Sequence, residues 1–363
     1  MERLNQMHWT LSSPLDMHVH FRGSLSDDPL HPTTHANYLF NLAVPFTANS
    51  FSGALVMPNL KPPLTTLDAV LAYKEKILEV TENFEPYMTL FFQDTYDRHF
   101  LEAAKPHITA IKLYPNGITT NSDGGVGDLN SDSVNRVLEI MQDLEIPLCV
   151  HGEVDGYVMK RESGFKEHYQ RWSTAFPNLK IIMEHITDSN SVYMLAAFEN
   201  LHATITVHHL LATLDDVVGG SLNPHWFCKP IPKRPEDREE LRNLAFGKWH
   251  KEVFSKVMLG TDSAPHLRID KESACGCAGV FSAPVALQFL AEAFFEEFGP
   301  EGNAPMQAFV SNHAVNIYGL KPPEKIVSLV REPSMVPEGI GGMMPLMDIV
   351  PMCAGQEVPW KIE

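Results

Sequence analysis

The sequence predicts a (β/α)8 barrel. Short, almost wholly apolar runs recur eight times along the 363 residues, as strands buried on both faces would. Amphipathic helical stretches separate them, and alternating strand and helix implies a parallel sheet. No stretch rich in Gly, Ser or Pro divides the chain. Eight such repeats in one body fit a closed barrel better than an open sheet. The expected organisation is one domain over 1–363, with a C-terminal tail, 320–363, packed back on the barrel.

The strand-like runs fall at 14–20, 53–58, 86–93, 109–114, 146–151, 179–185, 202–208 and 256–262. The first helical stretch opens at Thr65-Thr66, which offers an N-cap, and carries Leu67, Val70, Leu71, Ile77 and Leu78 on one stripe. Residues 131–144 repeat that design with Val134, Val137, Leu138 and Met141. Further helices are expected over 165–176, 189–198, 235–249, 283–298 and 305–318. The Pro-rich tail is expected to add a short strand near 357–360.

A formal net charge of −17, without a Lys/Arg cluster, argues against a nucleic-acid surface. It leaves room for an anionic small substrate, because a few placed cations override the mean field locally. Five cysteines in a chain of this size imply no disulfide framework. The first ten residues lack a signal-type apolar core, and no run of about 18 apolar residues exists to span a membrane. A cytoplasmic protein is expected.

Catalytic groups of such a barrel belong at the C-terminal ends of its strands. The first strand ends in Asp16-Met17-His18-Val19-His20-Phe21-Arg22. His18 and His20, two apart on an extended run, share a side, and Arg22 reaches towards the same place. The second ends in Met57-Pro58-Asn59, and the fourth carries Lys112 before Tyr114-Pro115. The fifth ends in His151-Gly152-Glu153, the sixth in Glu184-His185, and the eighth in Gly260-Thr261-Asp262. Four histidines, a lysine and an aspartate at one rim propose a metal site. Lys112 sits on a strand that should be buried, where an ammonium is costly. It either pairs with an acid such as Asp262, forms a Schiff base, or is carbamylated by CO2. A carbamate has two oxygens and bridges two ions, and the ligand set exceeds what one open zinc needs.

Several stretches, in order along the chain, carry a resemblance: 16–22, Val56-Met-Pro-Asn-Leu60, Ala110-Ile-Lys-Leu-Tyr-Pro115, Val150-His-Gly-Glu153, Glu184-His-Ile-Thr187, Gly260-Thr-Asp-Ser-Ala-Pro-His266 and Lys271-Glu-Ser-Ala-Cys-Gly-Cys-Ala-Gly279. They resemble the dihydroorotases of the amidohydrolase superfamily, in their shorter bacterial-type class. The resemblance implies a TIM barrel of the metal-dependent hydrolase type, two zinc ions per subunit and a homodimer. It implies that His18, His20 and Asp262 bind the more buried metal. Lys112, as N6-carboxylysine, would bridge to the second, held by His151 and His185. A metal-bridging hydroxide would be the nucleophile and Asp262 the proton shuttle. His20, Arg22, Asn59 and His266 would contact the substrate, with main-chain groups of Lys229 and Ala278 on its ring. The family commonly has an apolar residue where Lys229 stands. Thr119 and Thr120 lie in a polar, glycine-rich loop that fits the family's lid.

The implied reaction interconverts N-carbamoyl-L-aspartate and dihydroorotate in pyrimidine synthesis. A hydantoinase or allantoinase would keep the metal site but not need Arg22. A catalytically dead scaffold would be expected to lack some of the ligands, and none is missing. His208 and His209 close the seventh run and are assigned to packing or pocket lining. His8, His31, His35, His168 and His225 are expected at the surface. Cys149, Cys275 and Cys277 are expected to be packed thiols.

Overall fold

The computed structural model describes residues 7–25, 33–249, 251–342 and 345–363. Its strands are β1 His8–Ser12, β2 Leu15–Val19, β3 Gly53–Val56, β4 Glu85–Phe91, β5 Ala110–Leu113, β6 Leu148–Val150, β7 Ile181–Met183, β8 Leu201–Ile205, β9 Val257–Leu259, β10 Ile326–Val330, β11 Ser334–Met335, β12 Glu357–Val358 and β13 Lys361–Ile362. β2 to β9 pair in chain order, all parallel. The ring closes between its first and last members. Asp262 N–H donates to His18 O at 2.8 Å, and His20 N–H to Ser263 O at 3.0 Å. The eight predicted runs are these eight strands. Most runs also include polar residues just past the ladder, where the site lies.

Alternation along the strands feeds two cores. Leu55, Met57, Ala110, Cys149, Ile182 and Met258 point into the barrel and pack together. Their neighbours Val56, Ile111, Leu148, Val150 and Ile181 point outward against the helices. β2 departs from strict alternation, because one extra residue enters between Asp16 and Val19 relative to β3. This bulge leaves Leu15 and Met17 in the inner core and still turns His18 and His20 to the cavity above. The lower mouth is plugged by His313–Tyr318, whose Ala314 and Ile317 join the inner cluster.

Helices form at Leu67–Leu78, Asp132–Asp143, Arg161–Ala175, Ser189–Ala197, Pro235–Ala245 and Ala286–Phe298. The Thr66 hydroxyl accepts from Ala69 N–H and the Ser131 hydroxyl from Val134 N–H, as the sequence predicts. The expected 305–318 helix is broken by a wide π turn at Ala308–Asn312. Helix Thr33–Ser50 has no counterpart among the expected elements, since its interior Pro45 and mixed composition mask it. No helix among the described residues is long and apolar enough to cross a membrane.

The tail packs against the barrel. β10 lies antiparallel to β1 and to β13, with Trp9 opposite Leu329. Trp9 and Trp360 are buried against each other, 4.8 Å between ring centroids. The strand expected near 357–360 is β12, paired with β11.

Candidate active site

His18, His20, His151, His185 and Asp262 all line one cavity at the C-terminal rim of the barrel. The backbone at three strand ends is turned to bring them there. Arg22, His185 and Asp262 adopt φ of 63°, 43° and 47°, a conformation that costs L-residues energy and recurs at functional sites. At β7 and β9 the turn lets consecutive residues serve the same region. Gly260 is required for the approach, because a Cβ there would lie 2.9 Å from His18 Cβ.

Two of the imidazoles, His18 and His151, have a carboxylate as outer partner. His18 Nδ1 is 2.8 Å from Glu184 Oε2, which leaves Nε2 facing Asp262. His151 Nε2 is 2.8 Å from Glu153 Oε2, and its Nδ1 lies 3.2 Å from His185 Nε2. His20 Nε2 is 3.1 Å from Asp262 Oδ1. A carboxylate behind an imidazole fixes which nitrogen presents its lone pair, the usual outer support of a metal ligand. Thr204 Oγ1 holds Glu184 Oε2 in turn at 2.6 Å. Burial pushes His20 down to about 4 and holds His185 well below the imidazole range, so both rings are neutral at pH 7. Neutral imidazoles with one carboxylate fit zinc or a similar divalent ion.

Lys112 is fully buried and its ammonium has no hydrogen-bond partner. No described carboxylate lies within ion-pair distance, so the predicted alternative of a salt bridge with Asp262 is excluded. Burial lowers its pKa, only partly offset by the fields of Glu184, Cys149 and Asp262. Glu184 Oε1 and His185 Nδ1 are likewise buried without partners. Orphaned polar atoms on this scale are rare in protein interiors and mark a place where something else binds.

The same cavity is also lined by Arg22, Asn59, Lys229, Ala278, Thr119 and Thr120. Arg22 Nη2 is 2.9 Å from His266 Nε2, and Nε donates to Pro265 O at 3.3 Å. It forms no ion pair among the described residues. His266 does not line the cavity; burial and Arg22 keep it neutral, and it backs the guanidinium while touching Ala278 O at 3.0 Å. The backbone N–H groups of Lys229 and Ala278 make no hydrogen bond among the described residues. Asn59 Nδ2 donates to Thr120 O at 3.0 Å, so it also touches the loop that bears the two threonines.

Some groups differ from expectation or were not singled out. Tyr114 lines the cavity, and Glu153 and Glu184 orient histidines. Their signal was adjacency: each carboxylate lies within two residues of a candidate ligand histidine. His208 and His209 lie on the short helix Val207–Leu211, beyond β8, and are absent from the cavity lining. With Cys228 they form a second compact donor group. Both nitrogens of His209 are already bonded, to Thr206 Oγ1 at 2.8 Å and Pro230 O at 3.0 Å, whereas both nitrogens of His208 are buried without a partner. His8 and His35 are exposed, whereas His168 packs on Trp172 and His225 pairs with Glu272; His31 lies outside the described residues. Cys149 is buried as expected, but Cys275 is exposed.

No protein-family model matches the chain. It is 39% identical over 356 residues to the dihydroorotase of Helicobacter hepaticus (strain ATCC 51449 / 3B1), covering 97% of each chain. Its fold is similar to the crystal structure of the Campylobacter jejuni dihydroorotase, with a TM-score of 0.88 and 44% identity over 100% of this chain and 99% of that one. The Saccharomyces cerevisiae dihydroorotase, solved with 5-fluoroorotic acid, superposes with a TM-score of 0.86 at 30% identity over 98% of each chain. Such identity over nearly the full length, with the barrel and its histidine-lined rim in place, means that the chain belongs to the dihydroorotase family.

Proposed function

We propose that the protein is a two-zinc dihydroorotase that interconverts N-carbamoyl-L-aspartate and dihydroorotate. The observation that carries this reading is that two kinds of group share one cavity. It is lined by His18, His20, His151, His185 and Asp262, groups suited to hold metal, and by Arg22, a guanidinium with no carboxylate partner among the described residues. An unpaired, half-buried cation calls for an anionic ligand, and a substrate carboxylate satisfies it. The yeast relative holds an acid of this kind, 5-fluoroorotic acid.

His18, His20 and Asp262 would hold one ion and His151 with His185 the other. Lys112 is suited to bridge them. Its buried amine is held towards the neutral form, and Nζ can bond the carbon of CO2 and release a proton, leaving a two-oxygen carbamate. Ions held by these residues would supply a hydroxide nucleophile and polarise the ring carbonyl. Arg22 and Asn59 take the carboxylate, with His266 holding Arg22 in place. The free N–H groups of Lys229 and Ala278 meet the ring. Asp262, beside His20, accepts a proton and returns it to the leaving amide nitrogen. Thr119 and Thr120 cover the ligand. Family membership leads us to propose a cytoplasmic homodimer.

A hydantoinase or allantoinase is not favoured, because those rings do not all bear the carboxylate that Arg22 awaits. Arg22→Met tests the assignment. It should lower kcat/KM for dihydroorotate about 10²-fold, the scale of losing one partner of a buried charge pair. Unchanged turnover of dihydroorotate would remove Arg22 from the site.

A further inference from the structure

Lys229 has a side chain that the backbone role assigned above does not use. Its ammonium donates to Ile118 O at 2.9 Å, across 111 residues of sequence. It forms no ion pair among the described residues, so this carbonyl is its partner. Ile118 lies in the 115–126 loop, directly before Thr119 and Thr120.

That loop is a closed unit at its base. Val126 N–H donates to Tyr114 O at 2.8 Å and Asn116 N–H to Val126 O at 3.0 Å. Inside it, Ser122 Oγ accepts from Thr119 N–H at 3.0 Å and donates to Thr119 O at 2.7 Å. The tip is tied to the barrel from two directions. On one side Asn59 and Asn121 exchange side-chain bonds, to Thr120 O and Asn59 O, each at 3.0 Å. On the other side the tie is Lys229. An apolar side chain at that position has no donor and would leave the second side free.

We propose that the Lys229 side chain is a positioning residue, a latch that holds the 115–126 loop down over the cavity before substrate arrives. The inference deepens the proposed function, since a latch matters to turnover only if this loop closes on a ligand. A charge-assisted hydrogen bond of this kind shifts a loop-opening equilibrium by roughly tenfold. Pre-ordering the loop also lowers the ordering that substrate binding must otherwise supply.

The test is amide hydrogen exchange on the substrate-free protein, comparing wild type with Lys229→Met and Lys229→Arg. The latch predicts that 116–123 exchanges about tenfold faster in Lys229→Met and near the wild-type rate in Lys229→Arg, with β4 and β5 unchanged as the folding control. Unchanged loop exchange in Lys229→Met overturns the proposal, and so does equal acceleration in both variants. In dihydroorotate assays Lys229→Met should lose several-fold in kcat/KM, carried mainly by KM; a loss carried by kcat also overturns it. Exchange needs no turnover, so a wild type inactive on dihydroorotate would sink the functional reading and leave the latch to be judged separately.

Discussion

The two halves of the barrel interior are built from the same strands and obey opposite rules. In the lower half Leu15, Met17, Leu55, Met57, Cys149, Ile182 and Met258 pack together, closed off below by Ala314 and Ile317. In the upper half the inward positions are His18, Lys112, His151, Glu184 and Asp262, and Lys112 Nζ, Glu184 Oε1 and His185 Nδ1 lack partners. The lower half contributes apolar burial, which stabilises any barrel. The upper half is costly by itself, with unpaired buried groups and three left-handed residues at its edge. A chain tolerates such a rim only when a sound floor supports it and a ligand completes it.

The sharpest way to break this contrast is at Lys112. Lys112→Ala should reduce dihydroorotate turnover by about 10³-fold or more and leave the fold intact, because it removes a buried, unpaired amine that packing does not need. A short carboxylate such as acetate at high concentration should restore part of the activity by entering the space left. Retained activity would show that the upper half does not depend on this group. The reverse experiment lies one layer lower. Leu55→Ala should cost about 2–5 kcal/mol of stability in denaturant unfolding, with kcat/KM for the remaining folded enzyme little changed. A drop in kcat/KM comparable to that of Lys112→Ala would mean that the two halves are not separable. A smaller effect is expected between them. Glu184→Gln keeps the shape but weakens the hold on His18, and should lower metal affinity or activity about 10–100-fold. Zinc titration of the variant checks it, and wild-type affinity would relegate Glu184 to packing.

The lower half and the candidate metal donors were legible in the sequence for the same reason. Strands buried on both faces are apolar along their length, so eight runs stand out, and a histidine or lysine at the end of such a run is conspicuous. Parity alone aligned His18 with His20. It could not show that a bulge brings Met17 inward as well, because that depends on pairing with β3. The left-handed turns at His185 and Asp262 were equally hidden, since neither residue is a glycine. β1 escaped notice because His8-Trp9-Thr10-Leu11-Ser12 is short and half-exposed, and its partner β10 lies more than 300 residues away. Lys229 read as a departure from family pattern, and only the approach of Ile118 gave its side chain a partner.

The central claim is that the unpaired rim is completed by metal. Metal content and dihydroorotate turnover, measured on the same purified sample before and after chelation, test it most directly. The account predicts about two zinc ions per chain, activity lost on chelation, and activity restored by zinc together with bicarbonate. Full turnover in a metal-free sample, or no metal bound after such reconstitution, would contradict it.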